Sequence, residues 1–398
     1  MAVTSTDELY WDPFDVAIDT NPYGIWRRMR DEAPVYRNEA HDFWALSRYD
    51  DVEAAHCDPP TYSSSHGTVL ELMGPEPMHT GMIIFMDPPE HTRMRSLVSR
   101  AFTPRRVNSQ EDRIRAICRR LLDRVGTEFD FVQDFAAPLP SMVISTLFGV
   151  PDADQEHVRE LIDTTFHIEP GVGMINDTSL TAQIELHGYI VDQLAQRRTT
   201  PRDDMLTDMV QAEVTQEDGT TRRLSDDEAA NFALLLIAAG TETVARLLGW
   251  AAVLLDQHPD QRADLVADRA AIPNAIEELL RYESPSPVQG RWLTREVELH
   301  GTTIPANSRV LLLTGSAGRD ERKYPDAERF DVRRTFDRHV SFGYGIHFCV
   351  GAALGRMEGR IALDEVFDRA PTWTVDHDRA VRLHTSTVRG WTNVPVHT

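Results

Sequence analysis

The sequence is poor in cysteine, and none of its apolar stretches is long. Its three cysteines, Cys57, Cys118 and Cys349, are an odd number spread over 398 residues, which excludes a disulfide framework. We find no signal peptide, so we expect a protein of the reducing cytoplasm. The apolar run at residues 232–239 is far too short to cross a bilayer, and we therefore expect no membrane anchor.

Positive charge is also scarce, because 41 Lys and Arg residues face 63 Asp and Glu residues and leave a net charge of −22. This balance argues against nucleic acid as a partner. Residues 91–124 depart from it, with ten arginines against three acids, a local charge of +7. The stretch is either a solvated helix face or a docking patch for an acidic protein, since complementary charge speeds encounter. The candidate patch residues are Arg106, Arg113, Arg120, Arg356 and Arg360.

Linkers, repeats and low-complexity tracts are missing as well, so we favour a single domain over residues 1–398. Helical signals dominate what is present. A capping box at residues 225–228 opens a pattern that runs to His258, a helix of about 32 residues whose apolar middle must be buried. A second helix is predicted from Pro273 to just before Ser284, and a third after Cys349.

Signals for β-strands are few and short. Alternation and turn residues predict strands at 297–299, 302–304 and 310–313, and further β segments within 35–46 and 381–396. The expected fold class is therefore mainly α with small β-sheets.

The segment FGYGIHFCVG, residues 342–351, brings Cys349 to the start of the third helix. A thiolate at a helix N-terminus is stabilised by the helix dipole, which lowers its pKa and suits it to bind a metal. Glycines such as Gly343 and Gly351 let backbone approach a large flat group, and Phe342 can pack beside the sulfur, so we propose a haem. The alternatives are a plain buried cysteine and a zinc site of His339, His347 and Cys349, which lacks a fourth ligand.

The middle of the long helix reads AGTET at residues 239–243. Ala239 and Gly240 remove side-chain bulk where a flat ring can approach. Glu242 and Thr243 are polar in a buried helix, which is costly unless they have a partner or a purpose. The alternative is a helix kink with satisfied polar groups, because a Thr hydroxyl can bond to the preceding turn.

Together these two segments resemble the cytochrome P-450 haem-thiolate monooxygenases. The loop has the form Phe-x-x-Gly-x-x-x-Cys-x-Gly of that family's cysteine-ligand loop, and the helix segment is similar to its motif Ala/Gly-Gly-x-Asp/Glu-Thr. The resemblance covers nearly the whole chain and implies a triangular, helix-rich fold, with haem b between the long central helix and the cysteine-bearing helix. It makes Cys349 the axial iron ligand and Thr243 the holder of protons and water. Glu242 would relay protons from solvent.

The resemblance also assigns residues that would each pass for a surface charge alone. His91, Arg95, Arg291 and His347 match the family's propionate-binding positions, since buried propionates need cations or donors. Glu278 and Arg281 match its Glu-x-x-Arg pair, and Arg329 resembles the third member of that brace. We expect these last three to be structural, because breaking a buried charged network leaves an unpaired charge.

Residues 61–86 lack periodicity and are rich in methionine, which predicts an adaptable lid over a pocket. The loop at residues 169–173 lies where the family has its other lid. Candidate pocket walls, which are core residues by default, are Met82, Met86, Leu235, Leu236, Ala239, Val288, Thr387 and Val388.

The function implied is that of a soluble bacterial-type monooxygenase of the cytoplasm. It would insert one oxygen atom of O₂ into an apolar small molecule of lipid, terpenoid, steroid or polyketide class. A separate ferredoxin and ferredoxin reductase would supply electrons, because no such module is attached. The alternatives are a peroxide-driven peroxygenase, against which Glu242 and Thr243 argue, and a haem-thiolate sensor or carrier without turnover.

Overall fold

The computed structural model describes residues 8–165, 169, 176–215 and 219–398. Helices account for most of the ordered chain there, as the sequence predicts. In chain order they are α1 Val16–Thr20, α2 Tyr23–Glu32, α3 Tyr49–Cys57, α4 Glu90–Ala101, α5 Pro104–Asn108, α6 Glu111–Leu122, α7 Pro138–Leu147, α8 Gln155–Thr165, α9 Asp177–Thr199, α10 Met205–Gln211, α11 Asp226–Gln257, α12 Pro259–Ala267, α13 Ile272–Tyr282, α14 Thr314–Ala317 and α15 Ala352–Arg369. A π-helical turn at Phe131–Ala136 and short 3-10 turns, among them Gly345–His347, join them.

The strands are short and form small sheets. They are β1 Val35–Asn38, β2 Phe43–Leu46, β3 Tyr62–Ser63, β4 Glu128–Asp130, β5 Glu213–Thr215, β6 Thr221–Arg223, β7 Gln289–Leu293, β8 Val297–Leu299, β9 Thr302–Ile304, β10 Arg309–Leu312, β11 Thr374–Val375, β12 Val381–His384, β13 Arg389–Asn393 and β14 Pro395–His397. The largest sheet has five strands in the order β1-β2-β10-β7-β3, with β10 parallel to β2. Strands lie in each predicted β segment, while β3, β4, β7, β11 and the hairpin β5–β6 were not predicted.

The long helix α11 has 32 residues, as predicted, and its first turn is closed by the Ser225–Glu228 capping box. The Ser225 hydroxyl accepts the Glu228 N–H at 3.1 Å, and the Glu228 carboxylate accepts the Ser225 N–H at 2.8 Å. The helix is apolar and long enough to cross a membrane, but 67% of its most apolar 18-residue segment is buried inside the protein. It is therefore a core helix, around which the other elements pack.

The helix α15 crosses α11 at positions where α15 has glycines. A Cβ on Gly355 would lie 3.6 Å from Val244 Cγ2, and one on Gly359 would lie 3.3 Å from Leu247 Cδ2. The missing side chains of Gly355 and Gly359 therefore permit close packing of the two helices. The crossing fixes the N-terminal end of α15, and with it Cys349, relative to the middle of α11.

Candidate active site

One face of α11 is accessible in the middle of an otherwise buried helix. Ala239 is exposed, and Leu235 and Thr243, one turn to either side, are half-buried. Spacing of four residues puts all three on the same face of a helix. The flanking residues Leu236 and Val244 are buried in apolar clusters, so this accessible face is narrow and bordered by the core.

The cysteine loop is held by its own backbone. The Cys349 N–H donates to the Phe342 carbonyl at 2.9 Å, and both Gly343 and Gly345 have a positive φ, +67° and +66°. An L-residue other than glycine would be strained there. Burial raises the pKa of the Cys349 thiol, although the Gly351 N–H, Arg95 and Arg356 oppose that rise. The expected lowering of the thiol pKa is thus wrong for the protein without a bound metal, because desolvation outweighs the groups that lower it.

Four basic side chains gather beside this loop. The rings of His91 and His347 lie 4.3 Å apart, and both Nε2 atoms are buried without a hydrogen-bond partner. Burial, aided by Arg95, lowers the pKa of His91 to about 4, and burial, aided by Arg291, lowers that of His347 to about 2. Arg291 is buried and donates to the Gly290 carbonyl at 2.7 Å. An Arg95 amino group donates to the Phe348 carbonyl at 2.5 Å.

This cluster fits the acidic edge of a large flat group. Burying an imidazole nitrogen without a hydrogen bond is costly, so an anion that accepts a hydrogen bond from His91 or His347 would stabilise the cluster. Haem carries two carboxylates and an iron that a thiolate can bind, and Cys349 lies two residues beyond His347. Within the described ranges, no three His, Cys, Asp or Glu side chains form a metal site, which leaves the zinc alternative without support.

The polar residues of α11 bond within the helix. The Thr243 hydroxyl donates to the Ala239 carbonyl at 3.2 Å, and the Thr241 hydroxyl to the Ala238 carbonyl at 3.0 Å. Glu242 is held by Arg246, whose Nε and Nη2 donate to one carboxylate oxygen at 3.0 and 2.5 Å. Arg246 also donates to the Trp391 carbonyl at 2.5 Å. We did not predict Arg246, although its spacing of four from Glu242 is the ion-pair signal on a helix.

Comparison with known proteins decides the family. The family model "Cytochrome P450" matches residues 35–268 and 262–385. "Putative cytochrome P450 123" of Mycobacterium tuberculosis is 41% identical over 98% of this chain and 97% of its own length. "Vitamin D(3) 25-hydroxylase" of Pseudonocardia autotrophica is 37% identical over 100% and 98%. A structure of a P450 EryK mutant with erythromycin B has a TM-score of 0.87 at 35% identity, covering 96% of this chain and 97% of that one.

The chain belongs to the cytochrome P450 family. Membership gives this P450 a haem-thiolate cofactor and a monooxygenase activity that uses O₂. The predicted P450 fold is also confirmed, since the matched structures are P450s. The cluster of bases beside Cys349 is then the part of this P450 whose chemistry fits the haem carboxylates.

Gly240 departs from its predicted role in this P450. A Cβ on Gly240 would lie 3.2 Å from Cδ1 of Ile144 on α7. Its missing side chain therefore permits close packing of α11 against α7, whereas the accessible face of the helix is marked by Ala239. The sequence could not distinguish these directions, because glycine has no side chain whose polarity reveals the face it occupies.

The brace behind the cysteine loop has a different third member from the predicted one. Glu278 and Arg281 are fully buried and form a two-bond ion pair, with N–O distances of 2.6 and 2.7 Å. The Arg334 Nε donates to the same Glu278 carboxylate at 3.2 Å. The Arg329 side chain is 69% exposed and lies 3.7 Å from Asp331, so only its backbone carbonyl joins the network. The prediction of Arg329 is therefore wrong, and Arg334 takes that position.

The predicted substrate-side residues divide by burial. Leu235, Ala239, Met82, Thr387 and Val388 are accessible or half-buried. The others pack into apolar clusters, with Met86 and Leu236 in one and Val288 in another. The proposed lid at residues 61–86 is anchored by Asp87, which accepts the Ser64 N–H at 2.9 Å. Of the loop at residues 169–173, positions 170–173 lie outside the described residues.

The arginine-rich stretch lies on α4, α5 and α6, and both α5 and α6 contact α15. Several arginines of the predicted patch, which also includes Arg356 and Arg360 on α15, are neutralised. Arg106 pairs with Asp208, Arg360 with Glu111 at 3.0 Å, and Arg356 with Glu277 at 2.6 Å. Arg113 and Arg120 are exposed and, among the residues that the structure describes, form no ion pair. The predicted patch is thus smaller than the count of arginines indicates.

Proposed function

We propose that this P450 is a cytoplasmic monooxygenase that hydroxylates a sizeable apolar small molecule, with haem b as its cofactor. The observation that supports this most directly is the accessible stripe of Leu235, Ala239 and Thr243 on the core helix, together with Cys349 and the unsatisfied His347 ring on the cysteine loop. An apolar wall with one hydroxyl is typical of a site that admits an apolar ligand and orients it by few polar groups. We take residues 1–398 as one catalytic domain.

Each residue near the cavity has a distinct task in this proposal. Cys349 ligates the iron, and His91, His347, Arg291 and Arg95 hold the two propionates by charge-assisted hydrogen bonds. The bound haem supplies the oxidising chemistry, which the thiolate ligand favours by donating electron density. Phe342, Gly343 and Gly351 shape the backbone around the sulfur. A Cβ on Gly351 would lie 3.9 Å from Cys349 Sγ.

Protons are delivered from the α11 side. The Thr243 hydroxyl is held by the Ala239 carbonyl, so its oxygen keeps a fixed position and can accept a hydrogen bond from a donor in the cavity. The Glu242 carboxylate exchanges protons with solvent, and Arg246 sets the direction in which that carboxylate faces. A positioned acid of this kind contributes about 10²–10⁴-fold to a proton-transfer step.

The substrate is a lipid, terpenoid, steroid or polyketide in this proposal. The relative named for vitamin D(3) and the neighbour crystallised with erythromycin B both take large molecules, and both match almost the full length of this chain. Met82 and Met86 of the lid supply adaptable apolar surface near α11, where a Cβ on Gly81 would lie 3.7 Å from Asn231. Leu235 and Ala239 form the wall opposite.

Electrons come from a separate ferredoxin and its reductase. The unpaired charges of Arg113 and Arg120 lie on α6, which contacts the cysteine-bearing helix α15. An acidic ferredoxin that docks there approaches the thiolate side of the haem. This positive patch on a chain of net charge −22 directs the encounter, because the remaining surface repels an acidic partner.

The experiment combines binding with turnover. A panel of steroids, terpenoids, fatty acids and macrolides is screened for the change in the haem spectrum that substrate binding causes, and each ligand found is incubated with NADH, ferredoxin and reductase. A product that contains one atom of labelled O₂ supports the proposal. Product formed only with peroxide identifies a peroxygenase, and ligands bound without product under either condition identify a sensor or carrier.

A further inference from the structure

His56 is a buried histidine at the last turn of α3, and it lies against the cysteine loop. The whole residue is only 4% exposed. A Cβ on Gly345 would collide with the His56 carbonyl oxygen, and one on Gly343 would lie 3.8 Å from His56 Cε1. The two glycines with positive φ thus let the backbone of the cysteine loop pack directly on the end of α3, which fixes His56 beside the proposed haem site.

The ring of His56 has one partner on one nitrogen and none on the other. Its Nδ1 lies 3.4 Å from Nη2 of Arg291, and its Nε2 is buried without a partner. A guanidinium has only donors, so Nδ1 must accept and the neutral ring must carry its proton on Nε2. The result is a buried N–H group whose hydrogen bond is not made by the protein, which is costly unless a ligand accepts it.

Arg291 is the charge that acts on His56. Asp87 acts on Arg291 from a greater distance, since within the parts of the chain that the structure describes no Asp or Glu forms an ion pair with Arg291. Burial lowers the pKa of Arg291 to about 10, and burial together with Arg291 lowers that of His56 to about 3. With His91 and His347, three imidazoles in this region have a buried Nε2 without a partner. Such a set stabilises an anion that enters it.

We infer that His56 is a further residue that binds the haem carboxylates. Its Nδ1 accepts a hydrogen bond from Arg291, and its Nε2 donates one to a propionate. The inference rests on the proposed haem site and extends it to α3, an element to which the sequence motifs assign nothing. No pattern in the sequence marks His56, because it reaches the site only when α3 packs on the turn Gly345–His347.

The test is the rate of haem loss from the holoenzyme to an excess of a haem-scavenging apoprotein, followed by the haem absorption band. His56→Leu removes both nitrogens at similar volume, and we expect loss to be about 10–100-fold faster, the effect of one buried hydrogen bond to a charged group. His56→Gln keeps a donor and should remain within about 3-fold of the wild type. His397→Leu, at an exposed histidine outside the site, is the matched control and should leave the rate of haem loss unchanged.

Unfolding of the haem-free proteins separates this inference from a purely structural role. His56→Leu removes a buried unsatisfied N–H along with the long, 3.4 Å contact to Arg291, and because the unsatisfied group costs more than so long a hydrogen bond contributes, the haem-free variant should be at least as stable to urea as the wild-type protein. A variant that is destabilised without haem but loses haem at the wild-type rate would overturn the inference. A wild-type protein that takes up no haem would instead refute the proposed function itself.

Discussion

Arg334, and not Arg329, should determine the stability of the brace behind the cysteine loop. Replacing Arg334 by Leu removes its contact with the fully buried Glu278, as well as hydrogen bonds to the carbonyls of Pro325, Asp326 and Arg329 at 2.5, 2.9 and 2.7 Å. Breaking a buried charged network typically costs about 3–5 kcal/mol. Unfolding entropy of about 2 cal/mol/K per residue converts this, for 398 residues, into roughly 4–6 °C of Tm.

Arg329→Leu is the control, because the two arginines are five residues apart and carry the same charge. Its exposed side chain lies 3.7 Å from Asp331, and an exposed pair of this kind contributes at most about 1 kcal/mol. Differential scanning calorimetry and the haem content of the purified variants measure both effects. Equal Tm values for the two variants, or a larger loss for Arg329→Leu, would refute the assignment of Arg334.

Three further predictions follow from the site and its supports. Thr243→Ala should yield at least about 10-fold less product per NADH, with peroxide released instead, because a positioned proton-transfer group is lost; unchanged peroxide yield would exclude this role. Burial raises the pKa of Glu358 to about 8, so stability should fall as the pH rises from about 5 to about 8, since only the unfolded chain then loses that proton. Urea unfolding of Glu358→Gln should show a flatter pH dependence, and parallel curves would contradict this. Arg113→Glu should slow reduction by an acidic ferredoxin about 2–10-fold at low ionic strength in stopped-flow assays, whereas an unchanged rate and salt dependence would exclude this docking patch.

The local signals in the sequence were sufficient for the long helix and the cysteine loop. The capping box at Ser225 and the apolar run behind it depend only on neighbouring residues, and the structure has that helix over the predicted length. Such features are decided within one element and do not need the tertiary structure.

The features that the sequence did not reveal are decided between elements. Arg329 and Arg334 flank the same turn, and which of them reaches Glu278 depends on how that turn packs on α13. His56 joins Arg291 across 235 positions of sequence, by way of β7 and the end of α3. Gly240 faces α7 for the same kind of reason, since the neighbour that decides its role is Ile144.

The absorption spectrum of the reduced carbon monoxide adduct tests the central claim most directly, namely that the sulfur of Cys349 is the ligand of the haem iron. The account predicts the long-wavelength band of a thiolate-ligated haem for the wild type and for Cys57→Ser and Cys118→Ser, whose cysteines lie on α3 and α6. Cys349→His should lose that band while still binding haem. A wild-type spectrum like that of a histidine-ligated haem, or a thiolate band that survives in Cys349→His, would contradict the account.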